Sequence, residues 1–230
     1  MIVVYAATRN LYPYLKVAIS SLLAFHKDAR VIVLAEDDDI GLPVEVINVS
    51  GQNYYRADGP NSDSIFTYMA AMRLLYVDLL PDVDRVIQLD VDTIVCDSLL
   101  PLWEMDLTGK WLGACREWNG RYRPFGTDKY YNVGVAVFNL KQLREDGMVP
   151  KMVDWLNHNR AWTFEQDALN LFGVDKIADI PPRYNENQFT DLSNNPAVVH
   201  YAGYPKWFEA DPRMTQVEYL IKAREKFSEL

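Results

Sequence analysis

The chain has 230 residues, 49% hydrophobic and 24% charged, a length and composition that predict one large folded domain and exclude a disordered or collagenous chain. Its 32 acidic and 23 basic residues leave a formal net charge of −9, the wrong sign for a protein that binds nucleic acid or anionic lipid through phosphate groups. No apolar run approaches the roughly 20 residues that span a bilayer, so we expect no transmembrane segment.

The two cysteines, Cys96 and Cys115, lie in apolar stretches without Cys-x-x-Cys spacing or a nearby histidine. This setting favours reduced structural thiols in a reducing compartment. The apolar stretch at residues 1–7 is too short and too lightly flanked for a signal peptide. We therefore expect a soluble, unprocessed, cytoplasmic protein.

Strands and helices alternate in the first part of the chain. β-branched runs predict strands at residues 1–7, 30–35 and 44–49, and apolar residues at helical spacing predict a helix at residues 15–25. Such alternation is typical of a mainly parallel sheet covered on both faces, with ligands beyond the carboxyl ends of its strands. We therefore predict an α/β fold.

A polar segment at residues 51–63 separates this part from the clearest amphipathic pattern, which predicts a helix at residues 64–80 that ends before Pro81. Further strands are predicted near residues 111–115, 134–139 and 197–201, and further helices near 149–157, 165–172 and 217–227. No change in composition marks a linker, so the halves are expected to form one domain.

The most informative segment is residues 85–95, RVIQLDVDTIV, where an apolar strand ends in Asp90-Val91-Asp92. Side chains two residues apart on extended backbone point to the same face, so the two carboxylates lie close together. They repel each other unless a cation lies between them. A solvated turn is the alternative, but the apolar strand before the pair and the β-branched residues after it favour a divalent metal site.

Oxygen ligands suit Mg²⁺ or Mn²⁺, and one added imidazole favours Mn²⁺. His26 ends an amphipathic helix and His158 lies at a polar helix end, so we interpret both as structural or solvent-facing. His200 closes an apolar run and precedes a Gly/Pro loop that presents Lys206. An isolated histidine of this kind is more often a core residue, but together with the Asp-x-Asp it becomes a candidate metal ligand.

Seven segments of the chain, in order, resemble the retaining glycosyltransferases of family 8, the group that contains glycogenin and bacterial lipooligosaccharide galactosyltransferases. They are VVYAAT, the helix with MRLLYVDLL, VIQLDVDTIV, SLLPLWEMDLTGKWLGAC, YYNVGVAVFNL, FEQDALN and HYAGYPKW. Each segment alone is a weak signal, and the common order over most of the chain makes the resemblance specific.

The resemblance implies a GT-A fold and a UDP-glucose or UDP-galactose donor whose diphosphate is bridged by Mn²⁺ or Mg²⁺. By position, Asp90, Asp92 and His200 match the family's metal ligands. The other implied donor-binding residues are Ala6, Ala7, Thr8, Arg73, Val91, Asn132, Glu165, Gln166, Gly203 and Lys206. Residues 1–230 then form a single catalytic domain, with the nucleotide bound by about residues 1–95 and the sugar and acceptor by about 96–230.

The implied catalytic residues are Gln166, Asp167 and Lys206, with the glutamine nearest the anomeric carbon and the lysine on the leaving diphosphate. Because Gln166 is a poor nucleophile, retention of configuration is expected to proceed by attack of the acceptor on the face from which the diphosphate leaves. The acceptor, a glycan, a lipid-linked sugar or a protein, is not identified by the resemblance.

Two positions depart from the family pattern. Glu165 stands where the family has the first Asp of Asp-Gln-Asp, so the carboxylate lies one methylene further out, with an expected effect on sugar or acceptor geometry. Thr8 stands where some members have an Asp that contacts the base, which weakens the expectation of uracil specificity.

Three alternative functions compete with this interpretation. A haloacid-dehalogenase-type phosphatase also has an Asp-x-Asp-x-Thr motif at the end of an apolar strand. In those enzymes it is the first strand of the fold, whereas here about three strands come before the motif. A dehydrogenase is disfavoured because no Gly-x-Gly-x-x-Gly follows the first strand. The third is a non-catalytic protein that binds a nucleotide sugar without turning it over.

Overall fold

The computed structural model describes residues 1–117, 129–187, 189–190, 193 and 195–203. The strands of its central sheet are β1 (Ile2–Ala6), β2 (Arg30–Ala35), β3 (Glu45–Asn48), β4 (Arg85–Leu89), β6 (Leu112–Arg116), β7 (Tyr131–Asn139) and β8 (Ile177–Asp179). Two further strands, β5 (Thr93–Val95) and β9 (Val198–His200), form a small separate sheet. The helices are α1 (Tyr12–Phe25), α2 (Tyr68–Ala71), α3 (Tyr76–Leu79), α4 (Leu100–Trp103), α5 (Leu140–Asp146), α6 (Val149–His158) and α7 (Glu165–Gly173).

The central sheet is mainly parallel, as the sequence predicts. Its strand order is β3-β2-β1-β4-β7-β6-β8, and only β7 runs antiparallel to its neighbours within the described sheet. β4 lies at the centre, between β1 and β7. The carboxyl end of β4, where the Asp-x-Asp begins, is therefore flanked by the end of β1 and the start of β7.

Two apolar layers cover the two faces of the sheet. Along β1, Val3 and Tyr5 pack into the layer under α1, while Val4 between them packs into the opposite layer with α2, α3, α6 and α7. This alternation follows the two-residue period of extended backbone. The sheet is thus buried on both faces, which leaves its strand ends as the place for a polar site.

The predicted helix at residues 64–80 is wrong in extent and in regularity. The helical stretch begins at Tyr68 and consists of α2, a 3-10 turn at Met72–Leu75, and α3. Apolar residues around the whole circumference are buried, namely Met69, Ala71, Met72, Leu74, Leu75, Tyr76 and Val77. Since both faces of the stretch are covered, the amphipathic pattern does not describe it.

The strand predicted at 134–139 begins three residues earlier, and the helix predicted at 15–25 begins at Tyr12. Helices α4 and α5 and strand β8 were not predicted. The helix predicted at 217–227 lies outside the described residues. In the part of the chain that the structure describes, no helix combines the length and apolar character needed to cross a membrane.

Candidate active site

The Asp-x-Asp lies in the turn between β4 and β5, and the small sheet brings His200 to it. β5 and β9 are antiparallel, with Thr93 opposite His200. His200 Nε2 lies 3.5 Å from Asp90 Oδ2 and 3.4 Å from Asp92 Oδ1. One ligand atom from each of the three residues lies within 4.8 Å of the others. The structure therefore brings together the three residues that were predicted to bind metal.

A glycine on β7 makes this close approach possible. The Asp90 backbone N–H donates to the Gly134 carbonyl at 2.8 Å. A Cβ atom on Gly134 would overlap the His200 ring and come within 2.7 Å of Asp90 Oδ2. The glycine of the Tyr-Asn-Val-Gly-Val segment thus provides the space that the aspartate and histidine side chains occupy.

The donor set fits a divalent cation. Two carboxylate oxygens and one imidazole nitrogen converge, which is a ligand set that Mn²⁺ accepts and Mg²⁺ tolerates. The other ring nitrogen, His200 Nδ1, lies 2.9 Å from Asn185 Oδ1. Metal-binding histidines commonly have this second hydrogen bond on the far side of the ring.

Arg73 lies in the 3-10 turn between α2 and α3 and links two candidate site residues. Its Nη2 pairs with Asp90 Oδ1, and its Nη1 lies 2.8 Å from Glu165 Oε1. Burial acts to lower the pKa of Arg73, but the two carboxylates outweigh burial and raise it. Gln88 Nε2 also donates to Asp90 Oδ1, at 3.0 Å. Because Arg73 and Gln88 contact Oδ1, Asp90 turns Oδ2 toward His200.

Glu165 is buried at the start of α7. Burial raises its pKa from 4.5 to about 7, against the opposing effect of Arg73. Its Oε2 has no hydrogen-bond partner among the described residues. The preceding residue, Phe164, has a φ of 58° and ψ of −122°, a conformation that L-residues rarely adopt. Strained backbone next to a buried carboxyl is typical of functional sites.

The neighbouring Gln166 and Asp167 are held firmly. Gln166 Oε1 accepts from the Val133 N–H at 3.0 Å, and its Nε2 lies 3.2 Å from the Tyr130 hydroxyl. Asp167 accepts from the backbone N–H of Trp162 at 2.6 Å and from the Tyr130 hydroxyl at 2.6 Å. Asp167 thus fixes the first turn of α7, on which Gln166 lies.

Asn132, at the start of β7, contacts Glu117, a buried carboxyl that was not predicted from the sequence. Its Nδ2 donates to Glu117 Oε1 at 3.0 Å. Burial raises the pKa of Glu117 to about 7, although its hydrogen bonds with Asn132 and Gln166 act to lower it. Glu117 follows the last residue of β6 and belongs to no motif, so the only signal for it was an acidic residue directly after an apolar strand.

The donor-binding segment predicted at residues 6–8 begins beside the Asp-x-Asp. Val4 of β1 pairs with Gln88 of β4, so two residues further along, Ala6 lies level with Asp90. Ala7 and Thr8 follow, and the Thr8 hydroxyl donates to Asn10 Oδ1 at 2.6 Å. The carboxyl ends of β1 and β4 therefore lie side by side at the same edge of the central sheet.

Of the three remaining predicted site residues, the structure describes two. Val91, between the two aspartates, is buried. Gly203 is the last described residue before the C-terminal segment and has a φ of +76°. Lys206 lies outside the described residues.

A family model described as "Glycosyl transferase family 8" matches residues 2–210. General stress protein A of Bacillus subtilis is 25% identical over 194 residues, which are 72% of this chain and 67% of that protein. A putative glycosyltransferase of Haemophilus influenzae is 31% identical over 132 residues, or 53% of this chain. The chain spans only 39% of that second relative.

The crystal structure of an active-site mutant of LgtC is similar to this one over nearly its whole length. The TM-score is 0.70 and the identity 26%, and the alignment covers 98% of this chain and 96% of that one. The GT-A fold expected from the sequence is therefore confirmed. Within this fold the Asp-x-Asp follows the fourth strand, unlike the first-strand motif of a haloacid-dehalogenase-type phosphatase.

Proposed function

Because the chain belongs to glycosyltransferase family 8, we propose that it transfers glucose or galactose from a UDP-sugar to an acceptor, with retention of anomeric configuration and with Mn²⁺ or Mg²⁺ bound. The observation that carries the proposal is the convergence of Asp90, Asp92 and His200 at the carboxyl end of the central strand. The acceptor is a glycan, a lipid-linked sugar or a protein.

In this proposal Asp90, Asp92 and His200 hold the cation, and residues 6–8 at the end of β1 hold the uridine. The ion, when bound, supplies charge neutralisation for the diphosphate as it leaves the sugar. Lys206 adds a second positive charge to the leaving diphosphate. The bound cation would thus balance the negative charge of the two aspartates as well as that of the diphosphate.

Arg73, Asn132, Glu165 and Gln166 form the proposed sugar-binding side. Arg73 is already held between Asp90 and Glu165, so it needs little reorganisation to face a sugar or phosphate. Because burial raises the pKa of Glu165 to about 7, its carboxyl can both donate and accept hydrogen bonds with sugar hydroxyls.

Retention is proposed to occur by same-face attack: the acceptor oxygen bonds to the anomeric carbon as the bond between that carbon and the diphosphate oxygen breaks, and the departing diphosphate takes the hydroxyl proton. Gln166 is a poor nucleophile, and its Oε1 accepts a hydrogen bond from Val133 N–H. That bond fixes the amide, whose oxygen stabilises positive charge that develops on the sugar ring. Asp167 supports Gln166 through the first turn of α7.

The test is UDP release by hydrolysis of UDP-glucose and UDP-galactose, with water taking the place of the acceptor, in Mn²⁺ and in chelator. We expect release only with the divalent cation, and a fall on the order of 10²-fold or more for Asp92→Asn. Asp154→Asn, on the exposed side of α6, is the matched control and should release UDP at the normal rate. Binding of the UDP-sugar without release would instead indicate a non-catalytic binding protein.

A further inference from the structure

Asn185 is fully buried beside the proposed metal site, and no motif in the sequence points to it. Its Oδ1 lies 2.9 Å from His200 Nδ1. We propose that Asn185 is a positioning residue that keeps the proton of the neutral His200 ring on Nδ1 and so leaves Nε2 as the metal-binding atom. This inference rests on the metal site of the proposed function and adds the residue that selects its histidine tautomer.

The orientation of the Asn185 amide is determined by backbone groups. Asn185 Nδ2 lies 3.3 Å from the Asn132 carbonyl oxygen and 2.9 Å from Asn132 Oδ1. The carbonyl oxygen can only accept a hydrogen bond, and Asn132 Oδ1 is identified as an oxygen because the Gly134 N–H donates to it at 3.1 Å. The NH₂ group of Asn185 must therefore face Asn132, which turns its oxygen toward His200.

A second neighbour supports the same orientation. Asn187 Nδ2 donates to Asn185 Oδ1 at 2.9 Å. If the Asn185 amide were flipped, two NH₂ groups would face each other here, and two oxygens would face each other at Asn132. The oxygen that faces His200 Nδ1 therefore requires an N–H on that ring nitrogen.

The carboxylates on the other side of the ring favour the opposite tautomer. Nε2 lies 3.5 Å from Asp90 Oδ2 and 3.4 Å from Asp92 Oδ1. Without a competing acceptor, the proton of a neutral ring would move to Nε2 and hydrogen-bond to these carboxylates. A protonated Nε2 has no lone pair for a metal, so the Asn185 oxygen opposes a local preference that would block the site.

The backbone around Asn185 is also fixed to the strand that carries His200. The His200 N–H donates to the Glu186 carbonyl at 2.9 Å, and the Glu186 N–H donates to the Val198 carbonyl at 3.0 Å. The Thr190 hydroxyl donates to the Asn185 carbonyl at 2.8 Å. The segment that contacts the His200 ring is therefore also hydrogen-bonded to the backbone of β9, as expected for a rigid support of a metal ligand.

The tautomer can be measured directly, because the chain has only three histidines. In the metal-free protein with ¹⁵N-labelled histidine, at a pH where the rings are neutral, the nitrogen shifts of His200 distinguish Nδ1–H from Nε2–H. We expect Nδ1–H in the wild-type chain and Nε2–H in Asn185→Ala. Mn²⁺ affinity, measured from the electron paramagnetic resonance of the free ion, should fall about 10- to 100-fold in the variant.

Asn170→Ala is the matched control. Asn170 is also fully buried, and its side chain hydrogen-bonds to the backbone of Tyr131 and Gln166 but not to His200. It should lose stability as Asn185→Ala does, yet keep the Nδ1–H tautomer and the Mn²⁺ affinity. Asn185→Leu, which fills the same volume without an acceptor, serves if the alanine variant does not fold.

An Nε2–H ring in the wild-type chain would overturn the inference without any variant. So would Nδ1–H together with unchanged Mn²⁺ affinity in the Asn185 variants. Absence of Mn²⁺ binding by the wild-type chain would count against the proposed function instead, because the tautomer of the metal-free ring is read independently of the metal.

Discussion

At the scale of single residues, the described part of the site holds more acidic groups than basic ones. Arg73 lies among Asp90, Asp92 and Glu165. Within the described residues it forms ion pairs with Asp90 and Glu165. Burial, with a smaller effect from neighbouring carboxylates, raises the pKa of Glu165, and burial raises that of Glu117. An additional positive charge, from a bound metal ion, would relieve this repulsion.

The raised pKa of Glu117 has a consequence for stability. Burial raises the pKa from 4.5 to about 7, so the folded chain holds this proton between those values while the unfolded chain releases it. The protonated Glu117 carboxyl contributes fully to the unfolding free energy below about pH 4.5, and this contribution is lost as the pH rises through about 7. Glu117→Gln cannot ionise and should reduce the fall in unfolding free energy between pH 4.5 and 7.5 by about 1–3 kcal/mol.

Urea unfolding of the metal-free chain at the two pH values measures this difference. Glu145→Gln, at an exposed position on α5, is the control and should show the wild-type fall. An equal fall in wild type and Glu117→Gln would show that Glu117 titrates alike in the folded and unfolded chains.

At the scale of elements, the strands that carry the site were predictable and the supporting segments were not. β1, β2 and β4 are largely apolar strands that contain β-branched residues, and the Asp-x-Asp ends the apolar pattern of β4 abruptly. Asn185 lies between short irregular turns, where no periodicity exists to be read. Its role depends on long-range contacts with Asn132 and His200, which are 53 and 15 residues away.

The approach of β7 to the site can be tested at its glycine. Gly134→Ala should displace the His200 ring and Asp90, since the added Cβ overlaps the first and lies 2.7 Å from Oδ2 of the second. We expect Mn²⁺ affinity to fall by at least about 10-fold. Gly113→Ala on β6 is the control, because its Cβ would press on Ile180, Met105 and Val137 in the core and not on the site.

Both glycine variants should lose stability through overpacking, by about 1–3 kcal/mol. Calorimetric titration of the folded variants with Mn²⁺ separates the two effects. The account of β7 would be contradicted if Gly134→Ala bound Mn²⁺ as well as Gly113→Ala does.

The start of α7 offers a test of backbone strain. Both Phe164→Gly and Phe164→Ala remove the ring that packs edge-on against Tyr55 at 6.4 Å. At a φ of 58°, however, glycine is unstrained and alanine is not, so the glycine variant should be more stable by about 1 kcal/mol. Thermal unfolding measures the order.

Ala168→Gly provides the ordinary comparison within α7, where glycine should cost about 1 kcal/mol relative to alanine. A normal order at both positions, with alanine more stable at 164, would show that Phe164 does not hold a strained conformation in solution.

At the scale of the whole molecule, the fold collects residues from distant parts of the chain at one edge of the sheet. The ends of β1 and β4, the start of β7, the first turn of α7 and the end of β9 all contribute. The family resemblance and the fold were readable from the sequence because seven segments keep their order along the chain. The register of β5 with β9, which brings Thr93 opposite His200, was readable only from the structure.

The most direct test of the central claim is the affinity of the wild-type chain for UDP, measured by calorimetry in excess Mn²⁺ and again in chelator. If Asp90, Asp92 and His200 hold a cation that contacts the diphosphate, UDP should bind at least about 10-fold more tightly with Mn²⁺, and UDP should tighten Mn²⁺ binding by the same factor. Equal UDP affinity in Mn²⁺ and in chelator would contradict the account.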